Sequence, residues 1–469
     1  MNRNSLCLPI LILLAGLTFT SCTPVSPILA TPSELPADTG TPFALITPTV
    51  TSTQTAPITV DASALRGVTI QVWDAFAGGS AVVFKNQADL FNRVNEWGIT
   101  VNASGYGDYP SLFDAVNSVM GSGGGMPALV AALPEQTLTW SSSHSVVDLN
   151  PYLGDPLWGL GNSAIADFPP LFWMQDKING EQLGVPAQRS AHFLFYNKTW
   201  ARELGFDTPP LTAAEFKQQA CAANASFKAD ANPQNDGYGG WIVDTNWQTT
   251  YSWLLAFGGG VVDGSTYGFR TDPNLAALQF MKGLFDDHCA WLSTEATPFD
   301  SFAGRSALFV SGDLAEVSMA AESMSRLKNP DEWTLIPFPG TNGRVLVAYG
   351  PSYTVLKSTP EKQLAAWLFV RWLLSPQNQA QWVEAAGLFP LRTSVLDQVA
   401  PYRDASPQWN AALGDLSLAQ GVPQLASWSQ VRYLLEDGAT VIFQMNTPLD
   451  QIPSALTEMD SMAKELTKQ

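Results

Sequence analysis

The feature that most constrains the fold is an alternation of β-rich and helical segments that begins near residue 68. The segment 68–73 (VTIQVW) is β-rich, a helical segment follows it, and 99–101 (ITV) is β-rich again. The segment 110–120 places apolar residues at helical spacing, and a glycine-rich loop then leads to the apolar run 128–132 (ALVAA). Strands that alternate with helices in this way are typical of parallel βαβ units. We therefore expect an α/β protein.

Further helices are predicted from their N-terminal caps. Thr212 and Glu215 have the spacing of a capping box, in which each side chain accepts a hydrogen bond from the other residue's backbone. Thr359 and Ser375 are each followed by a proline, which is favoured in the first helical turn. Gly387 follows the last of these helical segments and predicts its end.

The N-terminus has the features of an export signal. Arg3 precedes a 13-residue apolar run, Cys7 to Phe19, which is shorter than the roughly 20 residues of a membrane-spanning helix. Small residues then lead to Cys22, and this arrangement resembles the lipobox of bacterial lipoproteins, although Phe19 stands where they usually carry Leu. We expect residues 1–21 to be a lipoprotein signal peptide and Cys22 to carry the lipid. An ordinary signal peptide cut nearby is the alternative.

The segment that follows differs in composition from the rest of the chain. Residues 22–65 are rich in Thr, Pro, Ser and Ala and almost uncharged, which predicts a flexible tether. The rest of the 469-residue chain is long enough for two domains. The full chain has a net charge of −18, which makes nucleic acid and anionic lipid poor partners.

Cysteine and histidine use limits the chemistry of the chain. Cys221 and Cys289 remain once the signal peptide and Cys22 are set aside, and in an oxidising compartment they form either a disulfide or two buried thiols. His192 lies in an apolar run and is predicted to be a core residue. The oxygen-rich stretch 230–237 lacks the spacing of an EF-hand, which favours a polar turn. We expect no metal and no cofactor.

An ordered set of short motifs is similar to the family 1 extracellular solute-binding proteins of ABC importers, the group of maltose-binding protein. The resemblance covers nearly all of 66–469. In chain order the motifs are 68–73, 125–136 (GMPALVAALPEQ), 147–153 (VDLNPYL), 184–186 (GVP), 195–197 (FYN), 209–216 (PPLTAAEF), 302–309 (FAGRSALF), 335–340 (LIPFPG) and 387–392 (GLFPLR).

This resemblance implies the two-lobed, type II fold of periplasmic binding proteins, with a hinge and an interlobe cleft. It places 66–185 in an N-terminal lobe to which 346–393 returns. It places 190–342 in a C-terminal lobe to which 394–469 returns. The hinge crossings are expected at 185–189 and near Arg344, and ligand is expected between the lobes, which close on it.

The resemblance also implies which residues meet the ligand. The stretch 423–432 (PQLASWSQVR) is similar to the segment that brings a stacking Trp to the sugar, so Trp428 is the first candidate, with core packing as its alternative. Gly312, Asp313 and Leu314 stand where maltose-binding protein carries another stacking Trp, so the ligand is not expected to bind as maltodextrin does. The remaining candidates, for which a surface or core position is the alternative, are Trp247, Trp73, Glu135, Gln136, Tyr106, Arg189, Asp313 and Tyr353.

The expected function is that of a receptor without catalytic residues. It would capture a carbohydrate, an oligosaccharide in our interpretation, and deliver it to ABC permease subunits as a monomer on the outer face of the cell membrane. One alternative keeps the receptor and changes the ligand to a polyamine or a phosphodiester. The other is a secreted glycoside hydrolase, which needs two carboxylates about 5–10 Å apart across a cleft.

Overall fold

The computed structural model describes residues 58–122, 124–293 and 297–468. The predicted signal peptide, Cys22 and the tether up to residue 57 lie outside the described residues. None of the helices within the described ranges is both long and apolar enough to cross a membrane.

The described residues form 17 strands. In chain order they are β1 (Thr69–Asp74), β2 (Thr100–Gly105), β3 (Leu129–Ala132), β4 (Lys177–Ile178), β5 (Glu181–Gln182), β6 (Val185–Pro186), β7 (Ser190–Asn197), β8 (Trp241–Val243), β9 (Val262–Asp263), β10 (Thr266–Tyr267), β11 (Ala290–Leu292), β12 (Phe309–Asp313), β13 (Trp333–Ile336), β14 (Phe338–Pro339), β15 (Arg344–Tyr349), β16 (Ser352–Val355) and β17 (Ala419–Gly421).

The helices lie between these strands and after the last of them. In chain order they are α1 (Gly78–Val94), α2 (Tyr109–Ser122), α3 (Pro134–Ser142), α4 (Asn150–Gly154), α5 (Asn162–Ala166), α6 (Pro170–Met174), α7 (Lys198–Glu203), α8 (Ala213–Lys228), α9 (Trp247–Ala256), α10 (Asp272–Asp286), α11 (Pro298–Ala303), α12 (Val317–Arg326), α13 (Pro360–Leu373), α14 (Pro376–Ala386), α15 (Ala400–Ala405), α16 (Pro407–Gly414), α17 (Trp428–Val431), α18 (Tyr433–Ile442) and α19 (Ile452–Leu466).

Lobe 1 is built on a sheet in the order β2-β1-β3-β16-β6. β1 pairs in parallel with β2 and β3, as the alternation of strands and helices predicts, whereas β16 pairs antiparallel with β3 and β6. Helices α1, α2 and α13 pack against this sheet. β3 is buried at all four of its residues, which explains why its sequence is apolar throughout instead of alternating.

Lobe 2 is built on a larger sheet in the order β11-β8-β12-β7-β15-β14, with β13 also pairing β7 and β17 pairing β15. β7 is buried at all eight residues and is the central strand on which β12, β13 and β15 assemble. Helices α9, α11 and α16 pack against this sheet, and α18 packs against α9. Because β12 and β15 run antiparallel to β7, the start of β7 lies beside the ends of β12 and β15 at one edge of lobe 2.

The chain passes between the two sheets at two adjacent crossings, 187–189 and 350–351, and returns once more to the sheet of lobe 2 between β16 and β17. The backbone N–H groups of Ala187 and Gln188 both donate to the carbonyl of Pro351, at 3.0 and 3.2 Å. A Cβ on Gly350, which has φ +150°, would lie 2.3 Å from the carbonyl oxygen of Gln188, so this approach requires glycine. The structure corrects the second predicted crossing, because β15 pairs with β7 and so belongs to lobe 2 through Tyr349.

Local signals in the sequence are confirmed at the helix starts. Thr212 Oγ1 accepts from the backbone N–H of Glu215, whose carboxylate accepts in return from that of Thr212. Thr359 and Ser375 cap α13 and α14, and Gly387 ends α14 with a left-handed φ of 63°. The structure differs from the prediction at 58–65, where Leu65 is fully buried in the core of lobe 1, so the folded body begins earlier than residue 66.

The disulfide alternative is confirmed for Cys221 and Cys289. The two residues are bridged with their Cα atoms 4.5 Å apart. The bridge joins α8 to the residue that precedes β11 and closes a loop of 68 residues within lobe 2. It therefore restrains lobe 2 alone and leaves the two crossings free.

Candidate functional site

A cavity of about 440 Å³ lies beside the two crossings. Lobe 1 contributes the start of α2 and the residue before α3, and lobe 2 contributes the start of α9, the end of β12 and the start of α18. The lining residues are Tyr109, Leu133, Gln188, Ser190, Asn246, Trp247, Gln248, Asp313, Ala315, Tyr349, Gly350, Pro351, Leu388, Arg432, Tyr433 and Glu436. Both lobes therefore form its walls, and any change in their separation changes its shape.

A second cavity of about 840 Å³ adjoins the first. The two share Gln188, Ala315 and Leu388 in their linings. The second cavity continues between the start of α1 and the helices α12, α14 and α15. The cleft between the lobes is therefore longer than the first cavity alone.

Trp247 forms an aromatic wall of the first cavity. It is the first residue of α9 and 8% of its surface is exposed. Tyr349 packs on it with ring centroids 5.6 Å apart, and the guanidinium of Arg432 lies 5.9 Å from its ring centroid. A ring held from several sides in this way is a preorganised apolar platform.

Two lining residues have buried polar atoms without a hydrogen-bond partner among the described residues, the hydroxyl of Ser190 and the Nε of Arg432. A buried polar group without a partner costs about 1–3 kcal/mol. Burial and the nearby Asp313 carboxylate raise the pKa of Tyr349 well above its usual value, so its hydroxyl stays protonated.

Asp313 ends β12 and is held from behind by His192. The His192 Nδ1 lies 2.7 Å from the Asp313 carboxylate, and its Nε2 lies 2.7 Å from the Thr249 hydroxyl. Burial alone would lower the pKa of His192, but the hydrogen bond to Asp313 and the charges of Asp313, Asp244 and Glu316 raise it above its usual value. His192 is a buried residue, as predicted, but it also orients a carboxylate at the cavity wall.

An ion pair joins the lobes at the edge of the cavity. Arg432, between α17 and α18, donates from Nη1 to the carboxylate of Glu135 on α3 at 2.8 Å. The exposed fractions of the two side chains are 11% and 3%. Burial raises the pKa of Glu135 and the charge of Arg432 opposes that rise. This contact exists only while the two lobes are close.

The structure brings only part of the predicted site to the first cavity. Trp247 and Asp313 line this cavity. Glu135 does not line it but accepts a hydrogen bond from the lining residue Arg432. Trp428 is 1% exposed and is not among the lining residues. Its ring packs against Trp247 and Tyr251 in the core of lobe 2, so the structure places this first candidate behind the cavity wall.

The structure corrects the predicted positions of Arg189 and Tyr353. Arg189 is fully buried, pairs with Asp176 at 2.9 Å and donates to the carbonyls of Gly350 and Pro351, so its guanidinium joins the two crossings. Tyr353 lies within β16, also fully buried, and its ring stacks on Phe84. Neither of these two ligand candidates lines the first cavity, because both side chains are fully buried.

Gln136, Trp73 and Tyr106 also lie away from the first cavity. The amide of Gln136 accepts from the backbone of Leu133 and donates to the carbonyl of Tyr109, so its hydrogen-bonding groups are used within lobe 1. Trp73 packs on Tyr106 with ring centroids 4.9 Å apart. Trp73 belongs to a small hydrophobic cluster of lobe 1, and Tyr106 packs against that cluster.

Several cavity residues were not predicted from the sequence. The most informative are Arg432, Glu436 and Tyr349. Arg432 follows Trp428 by four residues, about one helical turn, so it lies in the same predicted motif as Trp428. Asn246 and Gln248 flank Trp247, and their position at a helix start was the signal available for them.

The described residues contain no group of three or more His, Cys, Asp or Glu side chains arranged to hold a metal ion. In the stretch 230–237, the Asp230 carboxylate accepts from the backbone N–H of Asn232 and from the side-chain amide of Asn235. These hydrogen bonds make a polar turn.

Comparison with known proteins identifies the family. The family model of the bacterial extracellular solute-binding proteins matches residues 86–414. The chain is 21% identical over 430 residues to the sn-glycerol-3-phosphate-binding periplasmic protein UgpB of Salmonella typhimurium, covering 86% of this chain and 94% of that protein.

Solved structures show the same fold. The sugar-binding protein MalE from Xanthomonas citri matches with a TM-score of 0.71 at 20% identity, over 85% of this chain and 97% of that one. UgpB from Mycobacterium tuberculosis in complex with glycerophosphocholine matches with a TM-score of 0.68 at 17% identity, over 85% and 98%. These matches confirm the predicted two-lobed α/β fold. The chain therefore belongs to the bacterial extracellular solute-binding proteins, the receptors that bind small-molecule solutes for ABC importers.

Proposed function

We propose that this chain captures a carbohydrate, specifically a short oligosaccharide, between its two lobes and delivers it to the permease of an ABC importer. The observation that carries this proposal is the lining of the first cavity. Trp247 and Tyr349 offer flat apolar faces, while Asn246, Gln248 and Asp313 offer amide and carboxylate groups. Sugars present apolar C–H faces and hydroxyls that both donate and accept, so they match this combination.

The size of the cleft supports an oligosaccharide. The first cavity, at about 440 Å³, lies near the small end of the range of about 300–1,000 Å³ for ligand pockets. The second cavity of about 840 Å³ adjoins it and extends the cleft. The second cavity therefore offers room for a ligand longer than the first cavity alone would hold.

The charge of the cavity argues against an anionic ligand. Among the lining residues that the structure describes, Arg432 is the only Lys or Arg, and it is already paired with Glu135. Asp313 and Glu436 add two carboxylates. A phosphodiester would enter a site with excess negative charge, whereas a polyamine would match that charge and is the competing ligand class.

The receptor acts without catalysis and as a monomer held outside the cell by a lipid on Cys22. The predicted lipobox and the membership of an extracellular family support this location. A tether keeps the local concentration of the receptor near the permease high. Replacement of Cys22 with Ala should release the protein into the soluble fraction. If the membrane fraction is unchanged, the anchor does not depend on Cys22.

The ligand is tested by a thermal-shift screen of the purified mature chain, followed by calorimetric titration of each hit. The screen contains neutral mono- to tetrasaccharides, polyamines, sn-glycerol 3-phosphate and glycerophosphocholine. We expect stabilisation by a sugar, because a ligand that binds only the folded state raises its stability. Recovery of the intact sugar after long incubation distinguishes a receptor from a glycoside hydrolase. Stabilisation by polyamines alone would show that the ligand is a polyamine and not a carbohydrate.

A further inference from the structure

The ion pair between Glu135 and Arg432 has a consequence for ligand selection. Arg432 lies over two aromatic rings, with its guanidinium 5.9 Å from the Trp247 centroid and 5.2 Å from that of Tyr433. It is also the only Lys or Arg among the described residues that line the first cavity. A guanidinium in this position would bind a phosphate strongly if its charge were free.

Glu135 removes that free charge. Its carboxylate accepts from Arg432 Nη1 at 2.8 Å, and its side chain is 3% exposed, so water screens the pair weakly. An incoming phosphate would have to displace the carboxylate or lie beside it, and either arrangement leaves an uncompensated buried charge. A sugar hydroxyl carries no net charge and meets neither cost.

Arg432 keeps donors for a neutral ligand. A guanidinium carries five N–H groups. Nη1 donates to Glu135, Nη2 lies 3.4 Å from the Tyr433 hydroxyl, and Nε is buried. A hydroxyl or ring oxygen can accept from a remaining N–H of Nη1 or Nη2 while the ion pair stays intact. The guanidinium, with its charge balanced by Glu135, thus acts as a positioned hydrogen-bond donor.

We propose that Glu135 is a specificity-determining residue, which neutralises Arg432 across the cleft so that the site selects uncharged polyols and rejects phosphodiesters and phosphomonoesters. This inference rests on the proposed carbohydrate function and adds the residue that excludes the competing anions. Glu135 acts through Arg432 and is therefore a positioning residue.

The test compares ligand affinities of the full mature chain and its Glu135→Gln variant by calorimetric titration. The probes are the sugar found in the screen, sn-glycerol 3-phosphate and glycerophosphocholine. We expect the affinity of the variant for both phosphate esters to rise by about tenfold or more, because the freed guanidinium can then donate charge-assisted hydrogen bonds to the phosphate. The double variant Glu135→Gln, Arg432→Gln should lose this gain.

Glu436→Gln is the matched control. It removes one negative charge from the same cavity, and Glu436 accepts from the backbone N–H of Trp247 and makes no hydrogen bond to Arg432. We expect a smaller gain in affinity for the phosphate esters than Glu135→Gln gives. An equal gain would show that total cavity charge decides the selectivity and would overturn the role of Glu135.

Two further outcomes contradict the inference. One is an unchanged affinity for phosphate esters in a Glu135→Gln variant that melts cooperatively. The other is a parent chain that binds a phosphate ester more tightly than any sugar. If Glu135→Gln does not fold, Glu135→Asp keeps the charge but draws it back by one methylene, and an absence of any gain there also contradicts it. Absence of sugar binding by the parent chain, together with a gain in the variant, would instead refute the carbohydrate function.

Discussion

The indole rings of Trp247 and Trp428 pack edge to face, with centroids 5.5 Å apart and planes at 88°. Only Trp247 lines the first cavity, and Trp428 is 1% exposed behind it. Aromatic pairs in this geometry contribute about 0.5–1.5 kcal/mol beyond the area that they bury. The two tryptophans therefore occupy separate places, since Trp247 lines the cavity and Trp428 supports the Trp247 ring from the core.

Replacement of Trp247 with Ala should weaken sugar binding by about tenfold or more, because an aromatic platform at the centre of a site contributes on the order of 2 kcal/mol. Calorimetric titration measures the loss. Tyr238→Ala is a suitable control, since Tyr238 is 41% exposed and lies outside the lining residues. An affinity that survives Trp247→Ala would remove this ring from the site.

Replacement of Trp428 with Ala should chiefly lower stability. The side chain belongs to the core of lobe 2, and truncation of a buried aromatic residue costs about 3–5 kcal/mol. Urea denaturation measures the free energy of unfolding, and titration under native conditions measures binding. A variant that keeps parental stability but loses all affinity would restore Trp428 as a ligand-contacting residue.

Gly350→Ala should destabilise the crossings between the lobes. Its Cβ would meet the carbonyl oxygen of Gln188 at 2.3 Å, and its φ of +150° is strained for Ala. Gly343→Ala is the matched control, because Gly343 also has a positive φ, +103°, but no atom lies within 4 Å of its added Cβ. We expect a loss of more than about 1 kcal/mol in unfolding free energy for Gly350→Ala beyond that of the control. Equal losses would mean that backbone conformation alone matters.

Much of the fold was predictable because its signals are local. The caps at Thr212, Thr359 and Ser375 and the strands of lobe 1 are determined by residues near one another in sequence. The second crossing was placed too early, at Arg344 instead of 350–351. The strand 344–349 is apolar and would suit either sheet, and only its pairing with β7 assigns it to lobe 2.

The site was less predictable, since it depends on which face of each element meets the cleft. The segment 428–432 was identified, but the orientation of its helical turn buries Trp428 and presents Arg432. Arg189 was predicted to face the ligand, but its guanidinium donates to backbone carbonyls at the second crossing. The orientation of each side chain depends on tertiary contacts between residues that are distant in sequence. Local sequence patterns do not reveal those contacts.

Removal of the disulfide should lower the stability of lobe 2 and leave binding unaffected. The bridge between Cys221 and Cys289 closes a 68-residue loop, for which chain entropy gives a stabilisation of about 4 kcal/mol. The variant with Ser at both positions should melt at a lower temperature and retain its sugar affinity, because neither cysteine lines the cavity. A loss of affinity at temperatures where the variant remains folded would contradict this separation.

The pH dependence of stability should reveal the hydrogen bond between His192 and Asp313. Around His192 lie the end of β12 with Asp313 and the following turn with Glu316. Asp244 lies before α9, Thr249 lies within α9, and the Phe338 ring belongs to β14. The pKa of His192 is raised above its usual value in the folded protein. The stabilisation is therefore complete below the unfolded pKa of about 6.5 and is lost as pH rises through the folded pKa.

Replacement of His192 with Gln should remove this part of the pH dependence. Gln can still hydrogen bond Asp313 and Thr249 but cannot gain a proton, so the stability difference between parent and variant should shrink as pH rises from about 6.5. Urea denaturation at a series of pH values measures that difference. Burial raises the pKa of Asp74 to about 6, and this group acts in a lower pH window that both proteins share. A difference that stays constant above pH 6.5 would mean that His192 is neutral throughout and only packs beneath Asp313.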